Sequence, residues 1–348
     1  MLTKEQVLEI REYLEKAQNP IFFFDNDCDG LMSFLLLRRY IGRGKGVAIK
    51  SFPELDESYV RKIDELNGDS IFILDKPKVS KEFIESAKKR NIPLIWIDHH
   101  DVEVFFENDG YVKYYNPVLV NKTNEPTSFI AYKITGNKED SWLALVGCVA
   151  DNYLPDFYKD FEKKYPELVK RDVSSAFDLL YGSEIGKIVM TFSFALKDRT
   201  SNVVSMINFL FKAASPYDIL KEDDRNFKIL KRYQQVNIVY QKLLDKARRI
   251  SRISRKVVFF QYGGELSLSA DLSNELSYRF PGKVIIVAYI KGNIANVSIR
   301  GNMDVRKITL EAISQIPGAT GGGHKYATGA KFSVSDLQKL KEIFEKSV

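Results

Sequence analysis

The chain has 348 residues, 45% of them hydrophobic and 28% charged, with a formal net charge of +6. That balance is typical of a globular protein large enough for one big domain or two ordinary ones. There is no apolar run of about 18 residues, so no membrane span is expected, and Cys28 and Cys148 alone supply no disulfide framework.

Residues 3 to 17 are predicted to form a helix. Ile21-Phe22-Phe23-Phe24 follows, a short run of strand formers that ends in Asp25-Asn26-Asp27-Cys28-Asp29-Gly30. Leu31 to Ile41 is expected to be a buried helix. The pattern then repeats: Ile71-Phe72-Ile73-Leu74 ends at Asp75, and Leu94-Ile95-Trp96-Ile97 ends at Asp98. Short apolar strands alternating with helices predict an α/β fold with a parallel sheet covered on both faces. Ligands of such sheets bind at the carboxyl ends of the strands, where Asp25, Asp75 and Asp98 stand. Ser141 to Ala150 is expected to be a buried helix leading to Asp151. The chain from about 172 to 250 is expected to be mostly helical, with one long helix near 226–249. Lys256 to Phe260, Val284 to Tyr289 and Ala295 to Arg300 are expected strands of a smaller α/β domain. The resulting division is 1–225, a helical linker 226–254, and 255–348. The terminus Met1-Leu2-Thr3-Lys4-Glu5 lacks the features of a secretory signal, so a cytoplasmic location is expected.

All three histidines lie in two short motifs, Asp98-His99-His100 and Gly321-Gly322-Gly323-His324. Histidines placed only for packing would be scattered. Asp25, Asp27 and Asp29 occupy alternate positions, and three carboxylates so close repel one another unless a cation sits among them. A helix N-cap would need only one of them. Gly30 permits the tight passage from strand to helix. Carboxylates and imidazoles gathered at strand ends are the donors a divalent metal needs. Asp75 and Asp151 are unremarkable alone and gain weight from this company. Lys246, Arg248, Arg249, Arg252, Arg255 and Lys256 crowd one stretch, either a solvated helix face or an edge that contacts phosphates. Tyr233, Tyr240 and Phe260 stand nearby as core residues or as platforms for bases.

Together these residues resemble the DHH phosphoesterase superfamily, which includes RecJ-type exonucleases, nanoRNases, a family of pyrophosphatases and cyclic-dinucleotide phosphodiesterases. Its four motifs are matched by Asp25 to Gly30, Asp75, Asp98-His99-His100 and Asp151. The stretch Val297 to Arg300, then Asp304-Val305, Gly321 to Lys325 and Ala327-Thr328-Gly329 is similar to the companion DHHA1 domain. The resemblance therefore implies a DHH catalytic domain joined by a helical linker to a DHHA1 domain. One departure is Phe23, which stands where many members carry a histidine.

The resemblance also implies two divalent cations, Mn2+ in preference to Mg2+, held by Asp27, Asp29, Asp75, His99 and Asp151, with Asp75 bridging and Asp25 a further candidate. His100 would steady charge on the phosphoryl oxygens and Asp98 would orient the histidine pair. Arg300, Gly321, Gly322, Gly323, His324 and Lys325 would cradle the substrate, although a glycine run can also be a plain loop. The expected activity is a single-strand-specific exonuclease, like archaeal RecJ-like and repair-helicase-associated nucleases. It would act on single-stranded DNA from 3′ to 5′ and release mononucleotides, with a repair helicase or replication factor as partner and no membrane association. Hydrolysis of oligoribonucleotides or 3′-phosphoadenosine 5′-phosphate, and a scaffold role without catalysis, are the alternatives.

Overall fold

An apolar strand without a polar position must be covered twice, and the alternation of side chains shows how. In the computed structural model, which describes residues 1–51, 53–106, 110–170 and 172–348, β1 (Pro20–Asp25) turns Phe22 and Phe24 to one face and Ile21 and Phe23 to the other. Phe24 stacks on Phe34 at 4.9 Å, and Phe23 meets Phe83 edge-on at 5.2 Å. Each of these rings is fully buried, which contributes about 1.5–3 kcal/mol per side chain.

The first part of the chain runs α1 (Lys4–Lys16), β1, α2 (Cys28–Ile41), β2 (Lys45–Ile49), β3 (Glu54–Leu55), α3 (Val60–Leu66), β4 (Ser70–Leu74), β5 (Lys78–Val79), α4 (Lys81–Lys89), β6 (Leu94–Ile97) and β7 (Val112–Tyr115). The helices α5 (Pro117–Asn121), α6 (Thr127–Thr135) and α7 (Ser141–Ala150) follow. The strands β2-β1-β4-β6-β7 form one wholly parallel sheet, and β3 and β5 make a separate two-stranded pair. Helices α2, α6 and α7 cover one face with the larger apolar cluster, while α3 and α4 cover the other. The parallel sheet is the one the apolar runs predict. Its outer strands were not anticipated, because Lys45-Gly46-Val47-Ala48-Ile49 and Val112-Lys113-Tyr114-Tyr115 mix polar with apolar residues as edge strands do.

A helical block continues with α8 (Tyr158–Lys164), α9 (Ala176–Gly182), α10 (Glu184–Ala195), α11 (Thr200–Leu210), α12 (Tyr217–Leu220) and the long α13 (Phe227–Ile253). Val236, Tyr240, Leu244, Ala247 and Ser251 form the buried stripe of α13, at the three- and four-residue spacing of an amphipathic helix. Lys246, Arg249 and Arg252 lie on its exposed side. Beyond it come β8 (Val257–Gly263), α14 (Ser269–Arg279), β9 (Val284–Lys291), β10 (Ile294–Arg300), α15 (Val305–Ser314), β11 (Thr320–His324), β12 (Ala327–Ser333) and α16 (Leu337–Ser347). These strands make a mixed sheet in the order β11-β12-β10-β9-β8, parallel only between β8 and β9. Residues 1–233 and 234–348 form two compact units. Among the described residues no helix is long and apolar enough to cross a membrane.

Candidate metal centre

The sheet order decides where functional side chains gather. From β1 the chain crosses outward to β2, then returns past β1 to β4, so the direction of winding reverses between β1 and β4. The loops at the carboxyl ends of these two strands diverge and leave a crevice, as at the switch point of any doubly wound sheet. Asp25 and Asp27 close β1, Asp75 closes β4, and Asp98-His99-His100 closes the neighbouring β6.

Each aspartate of the first cluster has a different partner. Asp25 Oδ1 accepts a hydrogen bond from Lys76 Nζ at 3.0 Å. Asp27, exposed, is the N-cap of α2 and accepts from the Gly30 N–H at 2.9 Å. Capping and the approach to the crevice therefore fall to one residue, which the sequence treats as alternatives. Asp29 is buried, and its oxygens accept from the backbone N–H groups of Thr127 at 2.7 Å and Ser128 at 2.9 Å, at the N-terminus of α6. Gly30 is obligatory: a Cβ there would lie 2.5 Å from the carbonyl oxygen of Asp25.

His99 is the point of convergence. Its Nδ1 lies 3.0 Å from Asn124 Oδ1. With Oδ1 as the acceptor, the ring proton sits on Nδ1, which is the tautomer in which Nε2 would bind a metal. Nε2 lies 3.3 Å from Asp75 Oδ1, 3.6 Å from Asp151 Oδ2 and 4.0 Å from Asp29 Oδ2. Asp151 stands at the end of α7, and the helix brings it to His99 at the carboxyl end of the sheet. Asp75 adopts a left-handed φ of 59°, uncommon for a residue with a side chain, and its N–H donates to the Ile97 carbonyl. His100 Nδ1 lies 2.7 Å from Asp98 Oδ1, and the His100 N–H donates to Asp98 Oδ2 at 3.2 Å. Asp98, wholly buried, thus fixes the ring and backbone of His100. Asn116 donates to the His100 carbonyl at 3.0 Å, and the Tyr114 hydroxyl donates to Asp98.

The electrostatics of this crevice favour a cation. Burial, with Asp29 and Asp27 nearby, pushes Asp75 well above the usual carboxylate range against the pull of His99. Burial also pushes Asp151 up to about 6, His99 opposing and Asp29 and Asp27 adding. The Asp151 side chain remains 40% exposed, so the push on it is weaker than on Asp75. Asp25 is likewise raised to about 6 by burial and Asp27, with Lys76 pulling the other way. Burial alone would lower His99, but Asp151, Asp75 and Asp29 outweigh it and hold the imidazole well above its ordinary value. Carboxylates this reluctant to ionise, around an imidazole whose Nε2 faces them, fit a divalent ion with mixed oxygen and nitrogen preference. Asp75, His99 and His100 bring ligand atoms within 4.8 Å of one another.

The profile of the DHH family, N-terminal domain, matches residues 21–150, and that of the DHHA1 domain matches residues 254–348. The chain belongs to the DHH/DHHA1 superfamily. Members of the DHH superfamily are metal-dependent phosphoesterases. A RecJ exonuclease bound to manganese has the same fold, with a TM-score of 0.67 at 14% identity over 99% of this chain and 95% of its own. The DHH domain of a member of the s1p family of ribosomal proteins gives 0.69 at 17% identity, covering 99% of this chain and 89% of that one. RecJ from Thermus thermophilus in complex with Mn2+ gives 0.70 at 16% identity, over 99% of this chain and 55% of that one. At these identities the likeness is one of fold. None of the curated proteins matches the chain.

Within the DHHA1 domain the glycine run is an edge strand, β11, and not a loop. Its glycines serve close strand approach: a Cβ on Gly323, whose φ is 133°, would lie 2.5 Å from the Ala327 carbonyl oxygen. Gly321 and Gly322 pair with Ala330 and Gly329. Arg300 on β10 and His324 on β11 both pair with Ala327 on β12, so one row places them on the same face with a small residue between. Arg300 Nε donates to Asn274 Oδ1, and Nη1 donates to the carbonyls of Ile299 and Thr328. Lys325 opens the turn after His324, with its ammonium 5.3 Å from the Tyr326 ring centre. Tyr240 and Phe260 are buried and belong to the core, and Tyr233 stacks on Phe194. Cys28 and Cys148 are also buried. Burial and Asp29 push the Cys148 thiol well up, which suits packing and not reaction.

Several residues of the DHH site were not singled out in the sequence. Lys76 directly follows a strand-end aspartate, and Asn116 precedes a proline at a helix start, so both had a local signal. Thr127, Ser128 and Asn124 had none, because their roles arise from the approach of α6 to the loop after β1.

Proposed function

We propose that the chain is a divalent-metal-dependent phosphodiesterase that digests single-stranded nucleic acid, DNA above all, releasing mononucleotides from the 3′ end. The observation that carries this reading is the convergence of Asp75, Asp151 and Asp29 on His99 Nε2, at 3.3, 3.6 and 4.0 Å. The fold likeness to RecJ exonucleases solved with Mn2+ and with Mg2+ supports it.

Asp75, His99, Asp151 and Asp29 would hold the ion, with Asp27 at the exposed rim. A divalent ion in such a site polarises a phosphoryl oxygen and lowers the pKa of water. The protein's own groups do the rest. Asn124 keeps His99 in the tautomer that offers Nε2. Asp98 takes the Nδ1 side of His100, whose other ring nitrogen would meet a phosphoryl oxygen, and Asp98 also raises the His100 pKa against the effect of burial. A charged imidazole there steadies the negative charge that grows on the oxygens. A cavity of about 380 Å³ lined by Asp25, Asn26, Lys50, Ser51, Lys197 and Asp198 adjoins the crevice and has room for a nucleotide. Arg300, His324 and Lys325 would bind backbone phosphates.

The test is a timed digestion of end-labelled single-stranded DNA and RNA in Mn2+. Asp75→Ala and His99→Ala are expected to abolish turnover, and wild-type turnover in either variant would refute the site. Faster cleavage of dinucleotides than of long strands would replace the exonuclease reading with an oligoribonuclease one. Label released first from the 5′ end would overturn the polarity.

A further inference from the structure

Lys76 follows Asp75 and turns into the interior, where its side chain has no solvent exposure. A lysine is almost never fully buried unless it is paired. Here Nζ donates to Asp25 Oδ1 at 3.0 Å and to the Ser51 carbonyl at 2.7 Å. The backbone that presents the ammonium is also held. Asp75 takes the left-handed turn described above, and Trp96 Nε1 donates to the Lys76 carbonyl at 2.8 Å. Such a group is a fixed positive charge at the mouth of β1.

A second divalent ion beside the one at His99 would need donors from the segment that closes β1. Three positions of that segment come into question: Phe23, Asp25 and Asp27. Phe23 offers no donor and lies buried against Phe83. Asp25 is engaged by the ammonium. Asp27 caps α2 and is the one carboxylate of these three positions that the ammonium does not engage. An ion of the manganese or magnesium kind requires about six ligands, several of them from anchored groups. The buried charges around the crevice also balance with one ion. Asp29 and Asp75 are 3% and 2% exposed and offset one divalent cation, Lys76 offsets Asp25, and Asp98 is paired with His100. Asp27 and Asp151 reach solvent.

We propose that Lys76 acts as a built-in cation in place of a second metal ion, so that the centre holds a single divalent ion at Asp75, His99, Asp151 and Asp29. This rests on the metal-dependent reading of the site, and it names Lys76 as the residue that sets the number of ions.

The experiment is metal loading of the full chain. The protein is saturated with manganese, freed of excess by dialysis, and its metal content measured by mass spectrometry. Paramagnetic resonance then reports whether the bound ions are isolated or magnetically coupled. Wild type is expected to hold one isolated manganese per chain. Asp25→Asn keeps an acceptor for the ammonium and is expected to bind manganese within about threefold of wild type, because a lost ligand or its direct support costs about tenfold or more. Lys76→Ala frees Asp25 and is expected to raise uptake to two coupled ions. Two coupled ions in wild type, or a tenfold loss in Asp25→Asn, would overturn the proposal and leave metal dependence standing. Uptake that stays at one in a folded Lys76→Ala would also overturn it. Should Lys76→Ala fail to fold, wild type and Asp25→Asn decide the matter. No manganese bound by wild type would instead sink the functional reading itself.

Discussion

Replacing Asp29 by Asn keeps the shape of the side chain and removes one acceptor. Both Asp29 oxygens receive backbone N–H groups of α6, from Thr127 and Ser128, in a buried setting. Asn offers one carbonyl oxygen and turns an NH2 group towards the second N–H. A buried donor left without its partner costs about 1–3 kcal/mol. Loss of a negative charge at a helix N-terminus adds about 0.3–1 kcal/mol. The two together come to about 3 kcal/mol. In a unit of this size each kcal/mol shifts the midpoint by about 2–4 °C, so the Tm should fall by about 6–12 °C. Relief of repulsion from Asp75 works in the other direction. It is limited, because burial already pushes Asp75 towards its neutral form. Scanning calorimetry in the presence of a chelator, which removes any metal contribution, measures the effect. An Asp29→Asn midpoint within about 2 °C of wild type would refute the anchoring role and leave Asp29 as a metal ligand only.

Asp75→Asn should have the opposite sign in metal-free protein. A carboxyl raised in the folded state contributes stability that is complete below the unfolded value, near 4, and is lost as pH rises through the folded value. Asp25 and Asp151, both raised to about 6, extend the same loss across that window. The Tm of Asp75→Asn should therefore gain on wild type as pH goes from about 5 to about 7.5, and manganese should cancel the gain by competing with protons in wild type. A gap that narrows with rising pH would contradict this. Asn124→Ala should weaken manganese binding by about tenfold, the lower end for such supports, because exposed Asn124 can be replaced by water. Calorimetric titration checks it, and unchanged affinity would show that the His99 tautomer is set elsewhere. Arg300→Ala should raise KM for single strands by about tenfold with kcat nearly unchanged, as loss of one charge-assisted contact implies. An unchanged KM would remove Arg300 from substrate binding.

The strand ends were legible in the amino-acid order because burial on both faces demands unbroken apolar runs, and a polar residue can follow only where the strand leaves the sheet. Asp25, Asp75 and Asp98 were located that way, and so was the parallel sheet behind them. The long α13 was legible from its stripe. The glycine run was not, because glycine suits a turn and a tightly paired edge strand equally, and only pairing with β12 separates the two.

Local order settled which chemical groups end each strand, since periodicity and turn chemistry act over a few residues. It could not settle partners, because those depend on distances between segments far apart in the chain. Folding brought Asp151 from the end of α7 to His99, gave Asp29 to the start of α6, and drove the Lys76 ammonium onto Asp25. Burial then did the remaining work: away from water, each carboxylate had to find a proton, an ammonium, an N–H or a metal ion, and the tertiary structure determined which.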